Sequence, residues 1–137
     1  MNYFLVKSEP FKYSWTLFTK DKTTYWDGVR NYQARNTLRD MKIGDKVLFY
    51  HSNEGLEIVG IATVHKESYQ DPTTEDNRWV VVDLTIDKKL ENPVSLHIIK
   101  QDSILQDMAL VKQSRLSVMP VTTDQFYRVL LLSNTEY

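Results

Sequence analysis

A run of β-branched residues at 80–86, Val-Val-Val-Asp-Leu-Thr-Ile, is the strongest indication of fold in this chain. β-branched side chains suit the pleated surface of a half-buried strand. Two earlier runs also have strand character, and the predicted central strands are 46–51, 57–66 and 78–87. Gly60 lies inside the second of them, and a glycine within a strand indicates a bulge or sharp bend of the kind that small barrels use.

Helical patterns lie on both sides of these strands. Ala34, Leu38 and Met41 recur at spacings of four and three, which is typical of an amphipathic helix over 31–41. Asn31 is a suitable N-cap for that helix. Central strands with helices at either end predict an α+β domain. The remaining predicted elements are a strand at 3–7, helices at 14–18, 95–100 and 104–108, a mobile polar loop at 70–77, a strand at 116–118 and a last helix from 122 to 132.

Length and composition predict one globular domain over 1–137. The chain has 137 residues, 42% of them hydrophobic, enough for a substantial core. There is no cysteine, which excludes disulfides, thiolate metal ligands and a cysteine nucleophile. The three histidines have no metal-ligand spacing, so we expect neither a metal nor a cofactor. No apolar run reaches the length of a secretory signal or a membrane helix, so we expect a cytoplasmic protein without membrane contact.

The net charge of −1 limits how this chain can contact nucleic acid. Proteins that hold duplex DNA mainly through phosphates usually carry a clear excess of Lys and Arg. Any nucleic-acid contact here must therefore be local. The basic stretch at 30–46 is one candidate, and a solvated helix face is its structural alternative.

The segment 26–36, Trp-Asp-Gly-Val-Arg-Asn-Tyr-Gln-Ala-Arg-Asn, places two aromatic rings among Arg and Asn side chains. This combination suits a planar, polar ligand such as a nucleobase, which is stacked on its faces and hydrogen-bonded along its edge. The structural alternative is a tryptophan that packs a loop onto a helix.

Several motifs in a fixed order resemble those of the EVE domain family over essentially the whole chain. The motifs lie at 4–10 (Phe-Leu-Val-Lys-Ser-Glu-Pro), 13–15 (Tyr-Ser-Trp), 26–36, 41–52, 60–62 (Gly-Ile-Ala) and 115–121. The resemblance implies a PUA-like mixed β pseudobarrel surrounded by short helices. It also implies a reader of modified cytosines in DNA, including 5-methyl- and 5-hydroxymethylcytosine. The chain is most similar to the compact bacterial members, which suggests a restriction or defence partner protein.

The predicted base pocket combines aromatic walls with polar side chains. Trp26 would form one wall, and Tyr32 or Trp79 a second. Asn31 carries both a carbonyl and an amide for a pyrimidine edge. The full set is Lys7, Ser8, Glu9, Trp26, Asn31, Tyr32, His51, Ser52 and Trp79, and the expected phosphate contacts are Arg30, Arg35, Lys112 and Arg115.

Some of these residues also have structural interpretations. A cross-strand core contact is the alternative for Trp79, and an internal salt bridge or helix C-cap is the alternative for Arg115. Trp15 is expected in the core. We expect Trp26→Ala to abolish binding to DNA containing hydroxymethylcytosine while the melting temperature moves by only a few degrees.

The energies of base recognition favour a modified or unpaired base. Extruding a base from a duplex costs a few kcal/mol, and stacking on one aromatic side chain returns roughly 1–3 kcal/mol. An added group on the base, or the absence of pairing, shifts this balance towards binding. An RNA-binding PUA-like module is the main alternative, and a nucleotide-processing enzyme is a further one. No catalytic arrangement is evident, because carboxylates are scattered and no phosphate-binding glycine loop occurs.

Overall fold

The computed structural model describes residues 1–137 and confirms the predicted α+β class. Six strands form one mixed sheet in the order β2-β5-β4-β3-β1-β6. The strands are β1 (Tyr3–Ser8), β2 (Thr23–Tyr25), β3 (Lys46–His51), β4 (Glu57–Gln70), β5 (Val80–Ser95) and β6 (Val118–Val121). The helices are α1 (Trp15–Asp21), α2 (Tyr32–Asp40), α3 (Leu96–Gln101), α4 (Ala109–Lys112) and α5 (Thr123–Leu132), with one 3-10 turn at Leu105–Asp107.

The strands differ from the sequence prediction mainly at the edges of the sheet. β2 was not predicted, because three residues without apolar alternation carry no strand signal, and it pairs with β5 as an edge strand. β6 begins at Val118, where a strand over 116–118 was expected. It contains Pro120, which an edge strand tolerates because the missing N–H faces away from the ladder. β4 and β5 both continue beyond their predicted ends.

The start of α2 follows the predicted pattern. Asn31 is the N-cap, and its Oδ1 accepts a hydrogen bond of 3.0 Å from the amide of Ala34. Such a cap satisfies one of the amides that a helix leaves unpaired at its beginning. Ala34 and Leu38 face the core and are fully buried. Helix α5 begins with a capping box between Thr122 and Gln125, each accepting a bond from the backbone amide of the other.

Gly60 allows the indole of Trp15 to lie directly against β4. A Cβ atom at position 60 would lie 2.3 Å from Cη2 of Trp15. The pairing of β4 with β5 shifts register between Ile58 and Gly60, which confirms the predicted irregularity. Trp15 is 6% exposed and contacts the rings of Phe18 and Phe49 edge-on, with centroids 5.6 and 5.3 Å away. The expected core position of Trp15 is confirmed.

One cluster of 36 buried hydrophobic residues fills the space between the sheet and the helices. It draws on five of the six strands and on helices from both ends of the chain. No helix combines the length and the apolar character needed to cross a membrane.

Candidate nucleic-acid interface

A cavity of about 470 Å³ opens beside Trp26. Its volume lies within the range of pockets that hold small organic ligands. Strands β1 and β2 both contribute to it, although three other strands lie between them in the sheet, so the sheet must curl to bring them together. The lining residues are Lys7, Ser8, Glu9, Lys12, Tyr13, Thr24, Tyr25, Trp26, Asp27 and Gly28.

Trp26 lies between this cavity and the hydrophobic core. Its amide donates to the carbonyl of Val82 at 2.8 Å, which fixes the backbone at the end of β2 against β5. The indole contacts the rings of Tyr13 and Phe49 edge-on, with centroids 6.3 and 5.6 Å away. It is only 8% exposed, yet it lines the cavity. The same side chain therefore supports the core and forms part of the cavity wall.

Lys7 brings a half-buried positive charge to the cavity. Its Nζ donates to the backbone carbonyl of Ser114 at 2.8 Å, and no carboxylate lies within ion-pair distance. Burial lowers the pKa of Lys7, because the charged form loses hydration there. An ammonium has three donors, so two of them remain for a ligand.

The other polar groups of the cavity are partly occupied by neighbours within the protein. Glu9 accepts from Nδ2 of Asn53 at 2.6 Å and forms an ion pair with Lys12 at 3.3 Å. The hydroxyl of Ser8 donates to the carbonyl of Tyr13 at 2.5 Å. Burial raises the pKa of Tyr13 to about 12, and its hydroxyl donates to Asp21 at 3.0 Å. The carboxylate of Glu9 still has acceptor capacity, since two oxygens offer about four acceptor positions.

Four of the nine residues predicted for the base pocket line this cavity. They are Lys7, Ser8, Glu9 and Trp26. The sequence prediction did not include Tyr13 and Tyr25, which supply two more rings. Tyr13 belongs to the Tyr-Ser-Trp motif, which was the available signal, whereas Tyr25 lies in the unpredicted strand β2.

Five of the predicted pocket residues do not line this cavity, and most have other partners. The side chain of Asn31 caps α2. Nε2 of His51 accepts the amide of Trp15 at 3.1 Å. Burial lowers the pKa of His51, which favours the neutral imidazole that this bond requires. Ser52 adjoins Ser8 through a backbone hydrogen bond of 2.9 Å. The remaining two of the five, Tyr32 and Trp79, also lie outside the cavity.

Tyr32 and Trp79 contact each other outside the cavity. Their ring centroids are 5.2 Å apart with an interplanar angle of 33°. Tyr32 is 52% exposed, and Trp79 is half-buried in the loop before β5. Trp79 is thus not part of the core, contrary to the structural alternative considered for it.

The predicted phosphate contacts fall into two groups. Lys112 and Arg115 line a shallow depression of about 350 Å³ together with Asn31 and Ser114. It adjoins the cavity, because Lys7 contacts the carbonyl of Ser114. Lys112 forms an exposed ion pair with Asp107, whereas Arg115 has no ion-pair partner, so the salt bridge considered for it is absent. Arg30 and Arg35 lie with Tyr32 and Trp79.

Asp71 connects the cavity wall to the loop between β4 and β5. The side chain is fully buried. It accepts from the amide of Gly28 at 3.1 Å and forms an ion pair with Arg30 at 2.9 Å. It also accepts from the amide and hydroxyl of Thr73, at 2.7 and 2.5 Å. The expectation of a purely mobile loop at 70–77 therefore misses an anchor, for which the Asp-Pro-Thr sequence at 71–73 was the available signal.

The stability of the protein should depend on the ionisation of Asp71. Burial by itself would raise its pKa, but the bonds from Thr73, Arg30 and Gly28 lower it to about 2. An unfolded aspartate has a pKa of about 3.9. The stabilisation is therefore present above about pH 4 and is lost as the pH falls towards 2.

We expect Asp71→Asn to reduce the free energy of unfolding by about 1–2 kcal/mol at pH 7. The variant should also flatten the dependence of stability on pH between 4 and 2. Urea unfolding at a series of pH values measures both effects. Glu75→Gln, an exposed change in the same loop, serves as the control. Identical pH profiles for Asp71→Asn and the wild type would show that the buried carboxylate is not the titrating group.

A larger depression of about 620 Å³ lies beside β1, β6 and the start of α5. It is shallow and contains none of the residues predicted for the base pocket or for phosphate contact. No group of three or more His, Asp or Glu side chains is arranged to hold a metal ion. The cavity beside Trp26 is the one that joins aromatic rings to a charged donor without a carboxylate partner.

Comparison with known proteins identifies the family of this chain. The EVE domain model matches residues 2–132. Thymocyte nuclear protein 1 of Danio rerio is 36% identical over an alignment that covers 85% of this chain. This chain spans 60% of the length of that relative.

Two solved structures have the same architecture. The crystal structure of protein Atu2648 from Agrobacterium tumefaciens has a TM-score of 0.94 and 46% identity, covering 98% of this chain and 94% of that one. The human THYN1 protein in complex with 5-methylcytosine-containing DNA has a TM-score of 0.91 and 34% identity, with both chains covered completely. These likenesses confirm the PUA-like pseudobarrel with surrounding helices. By its matched model, its relatives and its fold, this chain belongs to the EVE domain family.

Proposed function

We propose that this protein binds a modified cytosine in DNA, with the base extruded into the cavity beside Trp26. The human relative of the same fold, 34% identical, binds DNA that contains 5-methylcytosine. The cavity offers the volume and the aromatic walls that a single base requires. We propose that the same cavity also binds 5-hydroxymethylcytosine. The added hydroxyl can donate and accept hydrogen bonds with the polar groups of the cavity.

The half-buried ammonium of Lys7 is the observation that carries this proposal. It is a charged donor without a carboxylate partner, and it lies at a cavity lined by Tyr13, Tyr25 and Trp26. The hydrogen-bonding edge of cytosine carries acceptors and one exocyclic amine. Lys7 would donate to an acceptor on that edge, and Glu9 would accept from the amine. A charged group in a cleft whose pKa is shifted by burial is a candidate for a ligand site.

The energies explain why a modification matters. Extrusion costs a few kcal/mol, and one stacking contact contributes roughly 1–3 kcal/mol. A hydrogen bond from a charged donor contributes about 1.5–3 kcal/mol. An added methyl group that is removed from water contributes about 0.8 kcal/mol more. The unmodified base is thus held weakly, and a small added group shifts the balance towards binding.

Lys7→Met tests the proposal, because it keeps the unbranched apolar part of the side chain and removes the charged amino group. We expect its affinity for duplex DNA with one 5-methylcytosine to fall by about 10-fold or more, in line with the loss of a charged hydrogen bond. Fluorescence anisotropy measures the affinity. Lys20→Met, at an exposed position of α1, makes the same change of charge and should bind like the wild type.

Matched oligonucleotides then separate the competing functions. Plain, methylated and hydroxymethylated DNA should rank in affinity with the plain duplex last, and matched RNA should bind less tightly than modified DNA. The proposal includes no chemical step, so the masses of the oligonucleotides should stay unchanged after incubation with divalent metal. Equal affinity for plain and modified DNA, or full affinity of Lys7→Met, would contradict the assignment of the cavity.

A further inference from the structure

A group of aromatic and arginine side chains lies outside the cavity, and we call it the outer platform. It consists of Tyr32, Trp79, Arg30, Arg35 and Arg78. The two rings are paired at 5.2 Å. The guanidinium of Arg35 lies 4.8 Å from the centroid of Tyr32, and those of Arg30 and Arg78 lie 5.7 and 5.8 Å from Trp79. None of these five residues lines the cavity beside Trp26 or belongs to the hydrophobic core.

Two of the three arginines of the outer platform have carboxylate partners, and the third has none. Arg30 forms an ion pair with the buried Asp71, and Arg78 forms one with Asp76 at 2.6 Å. Arg35 has no carboxylate partner, and it donates only to Asn36 and to the carbonyl of Arg78. The net charge of the platform is therefore positive. Arg35, whose guanidinium lies over the ring of Tyr32, carries the charge that no carboxylate balances.

The outer platform begins close to the cavity. Gly28 lines the cavity, and Arg30 belongs to the platform. Two residues of chain span at most about 7 Å. The cavity lining at Gly28 and the edge of the platform at Arg30 are therefore no farther apart than about two nucleotide steps along one strand of DNA. Asp71 holds both positions through the amide of Gly28 and the guanidinium of Arg30, so their separation is fixed.

We propose that the outer platform is a second stacking site, which binds an unpaired base near the base held in the cavity. This inference rests on the proposed function for the position of the first base. Aromatic rings and guanidinium planes both stack on bases, and the outer platform presents both, in the ring of Tyr32 and the guanidinium of Arg35. Arg35 contacts a phosphate of the same strand, because it is the platform arginine without a carboxylate. The preferred ligand is therefore a modified base in a locally unpaired strand.

Tyr32→Ala tests this site, with two single-stranded DNA probes that each contain one central 5-methylcytosine. In the first probe the neighbours of the methylcytosine are thymidines, and in the second they are abasic. We expect Tyr32→Ala to lose about 10-fold in affinity for the thymidine probe, as for the loss of one stacked base. For the abasic probe, the variant and the wild type should bind equally. Fluorescence anisotropy measures all four affinities.

Two further variants exclude indirect effects. Tyr32→Phe keeps the ring and loses the hydroxyl that accepts from Arg78 at 3.0 Å, so it should bind the thymidine probe like the wild type. Tyr127→Ala removes a tyrosine of similar exposure from α5, 50% against 52%, and should change neither affinity. An unchanged affinity of Tyr32→Ala for the thymidine probe would overturn the proposal, and so would equal losses on both probes.

Failure of the proposed function would give a different result. In that case the wild type would not distinguish methylated from unmethylated probes. The platform would still be supported if Tyr32→Ala weakened binding to the thymidine probe, and to the same probe with plain cytosine in place of 5-methylcytosine, but not to the abasic probe. A wild type that binds no single-stranded probe would overturn the outer platform as a base-binding site.

Discussion

Replacing Gly60 with alanine should lower the free energy of unfolding by about 3 kcal/mol, at the upper end of the range for overpacked cores. The added Cβ would lie 2.3 to 2.5 Å from three ring atoms of Trp15, well inside the van der Waals contact distance of two carbon atoms. The indole has little freedom to move, because Phe18 and Phe49 enclose it. The amide of Trp15 is also bonded to His51, which fixes the start of α1.

Thermal and urea unfolding of Gly60→Ala measure this loss. The matched control is the double variant Gly60→Ala with Trp15→Leu, in which the smaller side chain leaves room for the new methyl group. If the clash is the cause, Gly60→Ala should reduce the free energy of unfolding far less in the Trp15→Leu background than in the wild type. Additive effects of the two substitutions would show that Gly60 acts through backbone conformation instead.

Trp26→Ala should destabilise the protein by about 3–5 kcal/mol as well as abolish binding. The burial of the indole thus favours a larger change in melting temperature than the few degrees expected from the sequence. An indole that is 8% exposed and contacts both Tyr13 and Phe49 leaves a large void when it is truncated. A loss of this size should lower the melting temperature by roughly 10 °C or more.

Trp26→Phe separates the two effects. Phenylalanine keeps an aromatic surface and most of the packing, so this variant should remain close to the wild type in stability and bind methylated DNA more weakly. Both variants are measured by anisotropy at a temperature well below their unfolding transitions. If folded Trp26→Ala bound methylated DNA with wild-type affinity, Trp26 would not be a wall of the base site.

Local patterns in the sequence were sufficient for much of the secondary structure. Helix α2 was predictable because its apolar spacing and its cap at Asn31 involve only neighbouring residues. The β-branched run in β5 and the irregularity at Gly60 were predictable for the same reason. The sequence did not decide between the two roles predicted for Asn31, because a cap and a base-reading group use the same side-chain carbonyl, and the structure shows the cap.

The sequence by itself determined the α+β class and the order of most strands and helices. Only the tertiary structure decided which side chains share a cavity. Lys7 and Tyr25 meet there because the sheet curls and brings β1 and β2 together, while Tyr32 and Trp79 lie on a separate surface. The reason is physical: spacing along the chain reports which face of an element is buried, but not which distant element covers it.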